Sequence, residues 1–118
     1  MPSRDPLLRI QDILDAITKI QRYTQGMTLE IFSADEKTVD AVIRNFIIIG
    51  EAAGQVPQDV RDRYPAVPWS VIRNMRNVLT HVYFGVSLPI VWHTISEDLD
   101  PLVPILQNLL EQEQSADA

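Results

Sequence analysis

Leu7, Ile10, Ile13, Leu14, Ile17 and Ile20 recur every three or four positions, the spacing of one buried helix face. They predict a first helix from Asp5 to about Gln25, with Asp5 as its cap, Pro6 in its first turn and Gly26 as its stop. Thr28 to Phe32 then reads as a loop whose Phe32 plugs the core. Ser33, with Glu36 completing a capping box, is expected to start a second helix running to about Gln55. Val39, Val42, Ile43 and Phe46 form its stripe, but from Phe46 to Ile49 the helix is apolar on nearly every side. Such a segment needs cover from more than one direction, and in so small a chain a second copy is the natural source. Gly50, Ala52, Ala53 and Gly54 are small enough for another helix to approach closely. Without such a neighbour each glycine costs a helix about 1 kcal/mol.

Pro57 opens a short helical turn through Arg63, and Tyr64-Pro65-Ala66-Val67-Pro68 is an extended link. A further amphipathic helix is expected from Trp69 to about Val86, with Val71, Ile72, Met75, Val78, Leu79 and Val82 in its apolar stripe. Arg73, Asn77 and Thr80 lie opposite. Ser87 can cap the last helix, with Pro89 in its first turn. From Val91 to Leu110 its apolar positions keep one phase across Pro101 and Pro104, both on the outer face, which predicts one kinked helix rather than two. Residues from about Glu111 onward read as a polar, frayed tail. The pattern is all-α, about five helices in a single domain spanning 1–118.

Composition narrows the chemistry. The 118 residues are 46% hydrophobic and contain no cysteine, which leaves no thiol nucleophile and no thiolate zinc site. That composition suits a reducing cytoplasm, and no apolar run approaches membrane-spanning length. The net charge of −6 opposes nucleic-acid binding by the chain as a whole, but residues 57–95 carry four arginines against two aspartates. Arg61, Arg63, Arg73 and Arg76 therefore allow a local basic cleft on an acidic body.

Arg76 and His81, five positions apart, project about 140° from each other on an unbroken α-helix. Tyr83 returns to within about 20° of Arg76. His81 at a helix end also suits a simple cap favoured by the helix dipole, and Arg76 suits an ion pair with Glu51. His93, on the polar face of the last helix, reads as solvated. No histidines or carboxylates fall at metal-ligand spacing, and no cofactor-binding motif is present. RNA cleavage fits the groups available, because RNA carries its own 2′-hydroxyl nucleophile. An imidazole of ordinary pKa about 6.5 can move the protons, and a guanidinium can clamp the phosphate. Asn77 is placed to orient either. Acid–base cleavage is easiest with two proton-transfer groups, and a two-fold dimer would supply two copies of His81.

Arg76-Asn77-Val78-Leu79-Thr80-His81-Val82-Tyr83 resembles the R-(polar)-x3-H-x-Y signature of HEPN-domain ribonucleases, in the HepT-like toxin branch. The likeness extends through Ile43-Arg44-Asn45-Phe46, Ile49-Gly50-Glu51-Ala52, Tyr64-Pro65-x-x-Pro68-Trp69, Tyr83-Phe84-Gly85-Val86 and Val91-Trp92-x-Thr94-Ile95. It implies a helical bundle dimerising through its long central helices, and a metal-independent endoribonuclease toxin with Arg76 and His81 catalytic. It further implies a minimal nucleotidyltransferase as antitoxin, which transfers AMP onto Tyr83. The alternative from a different class is a non-catalytic helical module that holds a nucleotidyltransferase or a nucleotide in the same cleft.

Overall fold

A computed structural model describes residues 6–78 and 88–116. Among these the regular elements are all helical: α1 (Pro6–Thr24), α2 (Leu29–Ala34), α3 (Glu36–Gly54), α4 (Gln58–Arg63), α5 (Trp69–Asn74), α6 (Leu88–His93) and α7 (Leu99–Ala116). A 3₁₀ turn, Met75–Asn77, continues α5, and a π-helical turn, Thr94–Asp98, joins α6 to α7.

The long helix α3 is the centre of the bundle. It packs against α1 on one side and against α5 with its 3₁₀ turn on the other, while α7 also lies on α1. Ile10, Ile13, Leu14, Ile17 and Ile20 are buried from α1, and Val42, Phe46 and Ile49 from α3, as their spacing requires. Gly26 ends the α1 turn region in the left-handed conformation (φ 77°), which a residue without Cβ adopts at no steric cost. Two buried polar side chains are satisfied locally: Thr24 donates to the Ile20 carbonyl (2.8 Å) and Asn45 to the Ala41 carbonyl (2.9 Å).

Three expected boundaries move. Thr28 to Phe32 is largely helical, because Thr28 caps α2 by accepting from the Ile31 N–H at 3.2 Å. Phe32 still plugs the core, fully buried, with its ring 5.2 Å from that of Trp92. Ser33 does not cap α3, since it is itself inside α2. Asp35 does so instead, accepting from the Thr38 N–H at 3.1 Å, and this bond holds the Asp35 carboxyl below its ordinary range. The third change is at the C-terminus, where helix replaces the frayed tail through Ala116. The expected caps Asp5 and Ser87 lie outside the described residues.

The final helical run keeps its apolar phase through Val91, Ile95, Leu99, Leu102, Leu106 and Leu109, all buried, with Pro101 and Pro104 exposed. Its irregularity sits upstream of both prolines. Pro101 has no N–H to offer the preceding turn, and the chain widens there into the π-helical Thr94–Asp98 segment.

Candidate active site and basic face

The segment that carries Arg76 is pinned at both ends. At its start the Trp69 indole N–H donates to the Tyr64 carbonyl (3.0 Å), and the Trp69 backbone N–H donates to the Val67 carbonyl (2.8 Å). Ile72, Met75 and Val78 then point inward and are buried. Their spacing of three suits the tighter 3₁₀ turn that follows α5. Val71, expected in the same stripe, is 50% exposed, because a buried line of period three leaves no room for its neighbour.

The other constraint comes from α3. A Cβ on Gly50 would stand 2.6 Å from both the Cβ and the backbone nitrogen of Arg76, and 2.8 Å from the Arg73 carbonyl oxygen. Only hydrogen fits there, so Gly50 sets how closely the Arg73–Arg76 backbone lies on α3. Gly54, one turn on, faces the Arg73 Nε at the ordinary distance of 3.9 Å. The expected close approach therefore exists, and its partner is the segment holding Arg76.

Arg73, Arg76 and Asn77 are exposed. Arg76 Nη1 lies 3.6 Å from Glu51 Oε1, and both side chains are about half exposed. The expected ion pair is thus present, in the open geometry whose net contribution is small. The Asn77 side chain makes no hydrogen bond to another described residue, and His93 is exposed. His81 and Tyr83, with Thr80, Leu79 and Val82, lie outside the described residues. The 140° separation of Arg76 and His81 assumed an unbroken α-helix. Within Met75–Asn77 the 3₁₀ turn winds about 120° per residue rather than 100°; the rest of the path to His81 lies outside the described residues.

A second arginine, unremarked in the sequence beyond its charge, is fully engaged. Arg63 Nη2 donates to Glu113 Oε1 at 2.6 Å, and the Tyr64 hydroxyl donates to Glu113 Oε2 at 2.6 Å. Arg63 and Tyr64 stabilise the carboxylate and hold Glu113 below its ordinary value, while Glu113 raises the Tyr64 phenol above its own. This clamp ties the end of α7 to the end of α4. No spacing rule links positions 50 residues apart, so only the paired arginine and acid content hinted at it.

Among the described residues no three His, Asp or Glu side chains gather as a metal-holding group. No helix among them is long and apolar enough to cross a membrane.

Residues 13–109 match the family model described as Ribonuclease HepT-like. The chain is 41% identical over 93 residues to a probable ribonuclease HepT of Thermococcus cleftensis, covering 79% of this chain and 84% of that protein. It is 32% identical over 120 residues to a candidate RNase of Methanocaldococcus jannaschii, covering 98% and 99% of the two chains. A candidate RNase of Caldanaerobacter subterraneus is 32% identical over 111 residues, with 94% and 99% covered. No solved structure matches.

Proposed function

The chain belongs to the HepT-like ribonuclease family, and from that premise we propose that it is a homodimeric, metal-independent endoribonuclease acting as the toxin of a toxin–antitoxin pair. The observation that carries the reading is the seating of Arg76. Its backbone is held against Gly50, while its guanidinium stays on the exposed face in a pair that an incoming phosphate can displace.

In the proposed reaction the 2′-hydroxyl oxygen attacks the adjacent phosphorus as one His81 takes its proton. A second His81, from the other subunit, protonates the departing 5′-oxygen as the P–O5′ bond breaks. Arg76 bears the added charge of the pentacoordinate phosphorus, and Asn77 orients the phosphate or the imidazole. The products are a 2′,3′-cyclic phosphate and a 5′-hydroxyl. Support for the dimer comes from α3, where the half-buried Ile47 and Ile48 line an open surface groove with Ile43, Asp40 and Arg44. That apolar strip of the central helix is left partly open by the other described residues.

Tyr83 is the proposed control point. The partner nucleotidyltransferase would join its hydroxyl oxygen to the α-phosphorus of ATP, releasing pyrophosphate and a proton. The attached AMP would bring a negative charge and a nucleoside to the approach of the RNA backbone.

The test is cleavage of RNA in excess chelator by the full chain and by His81→Ala. Products ending in cyclic phosphate, lost in the variant, support the reading; activity that needs a divalent ion or survives the substitution overturns it. Co-expression with the neighbouring nucleotidyltransferase, followed by intact-mass measurement, checks Tyr83. Addition of AMP units that is absent in Tyr83→Phe is the expected result.

A further inference from the structure

Beside the Arg76 segment, α4 and α5 enclose an open groove of about 360 Å³. Its wall carries Arg61 and Arg73, the ring of Trp69, and the polar side chains of Gln58 and Asp62. We propose that this groove is an RNA subsite next to the cleavage site, which takes one unpaired nucleotide against Trp69 and its flanking phosphates on Arg61 and Arg73. The inference rests on the ribonuclease reading above and adds where the strand runs.

Four observations support it. Arg73 and Arg76 are three positions apart on the exposed side of one segment, so the groove and the proposed phosphate clamp are contiguous. Arg73 lies over Gly54 and has no ion pair with a described residue, which leaves its charge available. Arg61 is held by Gln58, which accepts from its Nη2 at 3.0 Å, but its Nε is buried and has no partner among the described residues. Arg61 forms no ion pair with a described residue, so the charge of its guanidinium is available to a phosphate in the groove. The same Gln58 amide donates to Asp62 at 2.7 Å, so the one acid in the groove is tied to a neutral group.

The aromatic completes the site. Trp69 is half-buried, and its indole N–H is already bonded to the Tyr64 carbonyl, which fixes the ring against the wall. Single-stranded RNA is held by such a combination, with bases stacked on a fixed aromatic and phosphates on arginines. A double helix would keep its bases from the ring, so the geometry points to unpaired RNA.

The chain has two tryptophans, and Trp92→Phe leaves Trp69 as the sole reporter. A labelled 2′-O-methyl oligonucleotide, which lacks the nucleophile and cannot be cut, is titrated into that protein while Trp69 emission and probe anisotropy are followed. Trp69 emission should be quenched as anisotropy rises. Arg61→Gln and Arg73→Gln should each weaken binding about tenfold and lower the salt slope by about 0.7, whereas Arg63→Gln should change neither. Binding with unchanged Trp69 emission, and with both variants as tight as the parent, overturns the subsite while cleavage of natural RNA keeps the ribonuclease reading. A protein that neither cuts RNA nor binds the probe loses both. If both variants bind and cut RNA normally but fail to hold the nucleotidyltransferase, the groove is a protein-docking surface and the proposal falls.

Discussion

Arg63 and Arg76 belong to the same basic stretch, and their side chains are equally exposed, at 49% each. Their surroundings differ in kind. Arg63 meets Glu113 at 2.6 Å, where the carboxylate is only 15% exposed and also accepts from Tyr64. Arg76 meets Glu51 at 3.6 Å, and that carboxylate is 56% exposed. The first arginine is closed into a three-membered clamp that joins α4 to the end of α7. The second is seated through its backbone and keeps its charged end open. Accessibility alone does not separate a structural cation from an available one; the burial and geometry of its partner do.

The sharpest way to break this contrast is to truncate each arginine. Arg76→Ala should lower RNA cleavage by about 10²–10³-fold with the melting temperature unchanged. Arg63→Ala should do the reverse, lowering the melting temperature by several degrees while the cleavage rate holds. A loss of cleavage from both, in equal measure, would erase the distinction.

The seating of Arg76 is tested through the two glycines of α3. Gly50→Ala must push Cβ into backbone at 2.6 Å and should destabilise the protein by about 1–3 kcal/mol, with cleavage falling as well. Gly54→Ala has room and should be neutral or stabilising, by up to about 1 kcal/mol, from its better helix propensity. Chemical denaturation of the pair measures the difference. Equal behaviour would mean that the Arg73–Arg76 segment is not held by this contact.

The clamp predicts a pH dependence. Hydrogen bonds from Arg63 and then Tyr64 hold Glu113 below its ordinary value of 4.5, so they favour its charged form in the folded state. The stability they contribute is present above that ordinary value and is lost as pH falls through the lower, folded one. Glu113→Gln should therefore melt a few degrees lower near neutral pH and lose less on acidification than the parent. Identical acid limbs in thermal melts would remove the clamp from the account. The smallest effect is expected from Glu51→Gln, which frees Arg76 from its exposed pair. It should leave the melting temperature unchanged and tighten binding of the noncleavable oligonucleotide by about two- to fivefold.

Most of the helical frame was legible because its signals are local. Apolar spacing placed α1, α3 and the long final run, and Pro57 and Gly26 marked ends that the structure keeps. The cap of α3 is Asp35 rather than Ser33, because both precede the helix and the side chain of Asp35 is the one that reaches the Thr38 N–H. The 3₁₀ and π turns escaped because they change which carbonyl each N–H meets, while leaving the apolar stripe nearly intact. At the candidate site the chain showed the residue types, and Gly50 announced a close approach without saying to what. Arg61 and Trp69 stood in the same basic stretch, and the missing step was the turn at Tyr64–Pro68 that brings α4 beside α5. The Arg63–Glu113 bond, spanning 50 positions, has no local signature at all.

That long reach also bears on the order in which the protein can assemble as it is synthesised. Gly50 and Arg76 are close enough along the chain for α3 to receive its neighbour soon after both have emerged from the ribosome. The apolar face of α1 has to wait longer for α7, the helix that packs on it and whose Asp100 accepts from the Gln21 amide (2.6 Å). Until that helix is made, α1 and α3 form an open pair with greasy surface exposed, the state in which nascent chains are prone to associate wrongly. The clamp at Glu113 can close only after α7 has been made. Translational pausing before residue 99 would hold the chain at its most vulnerable stage.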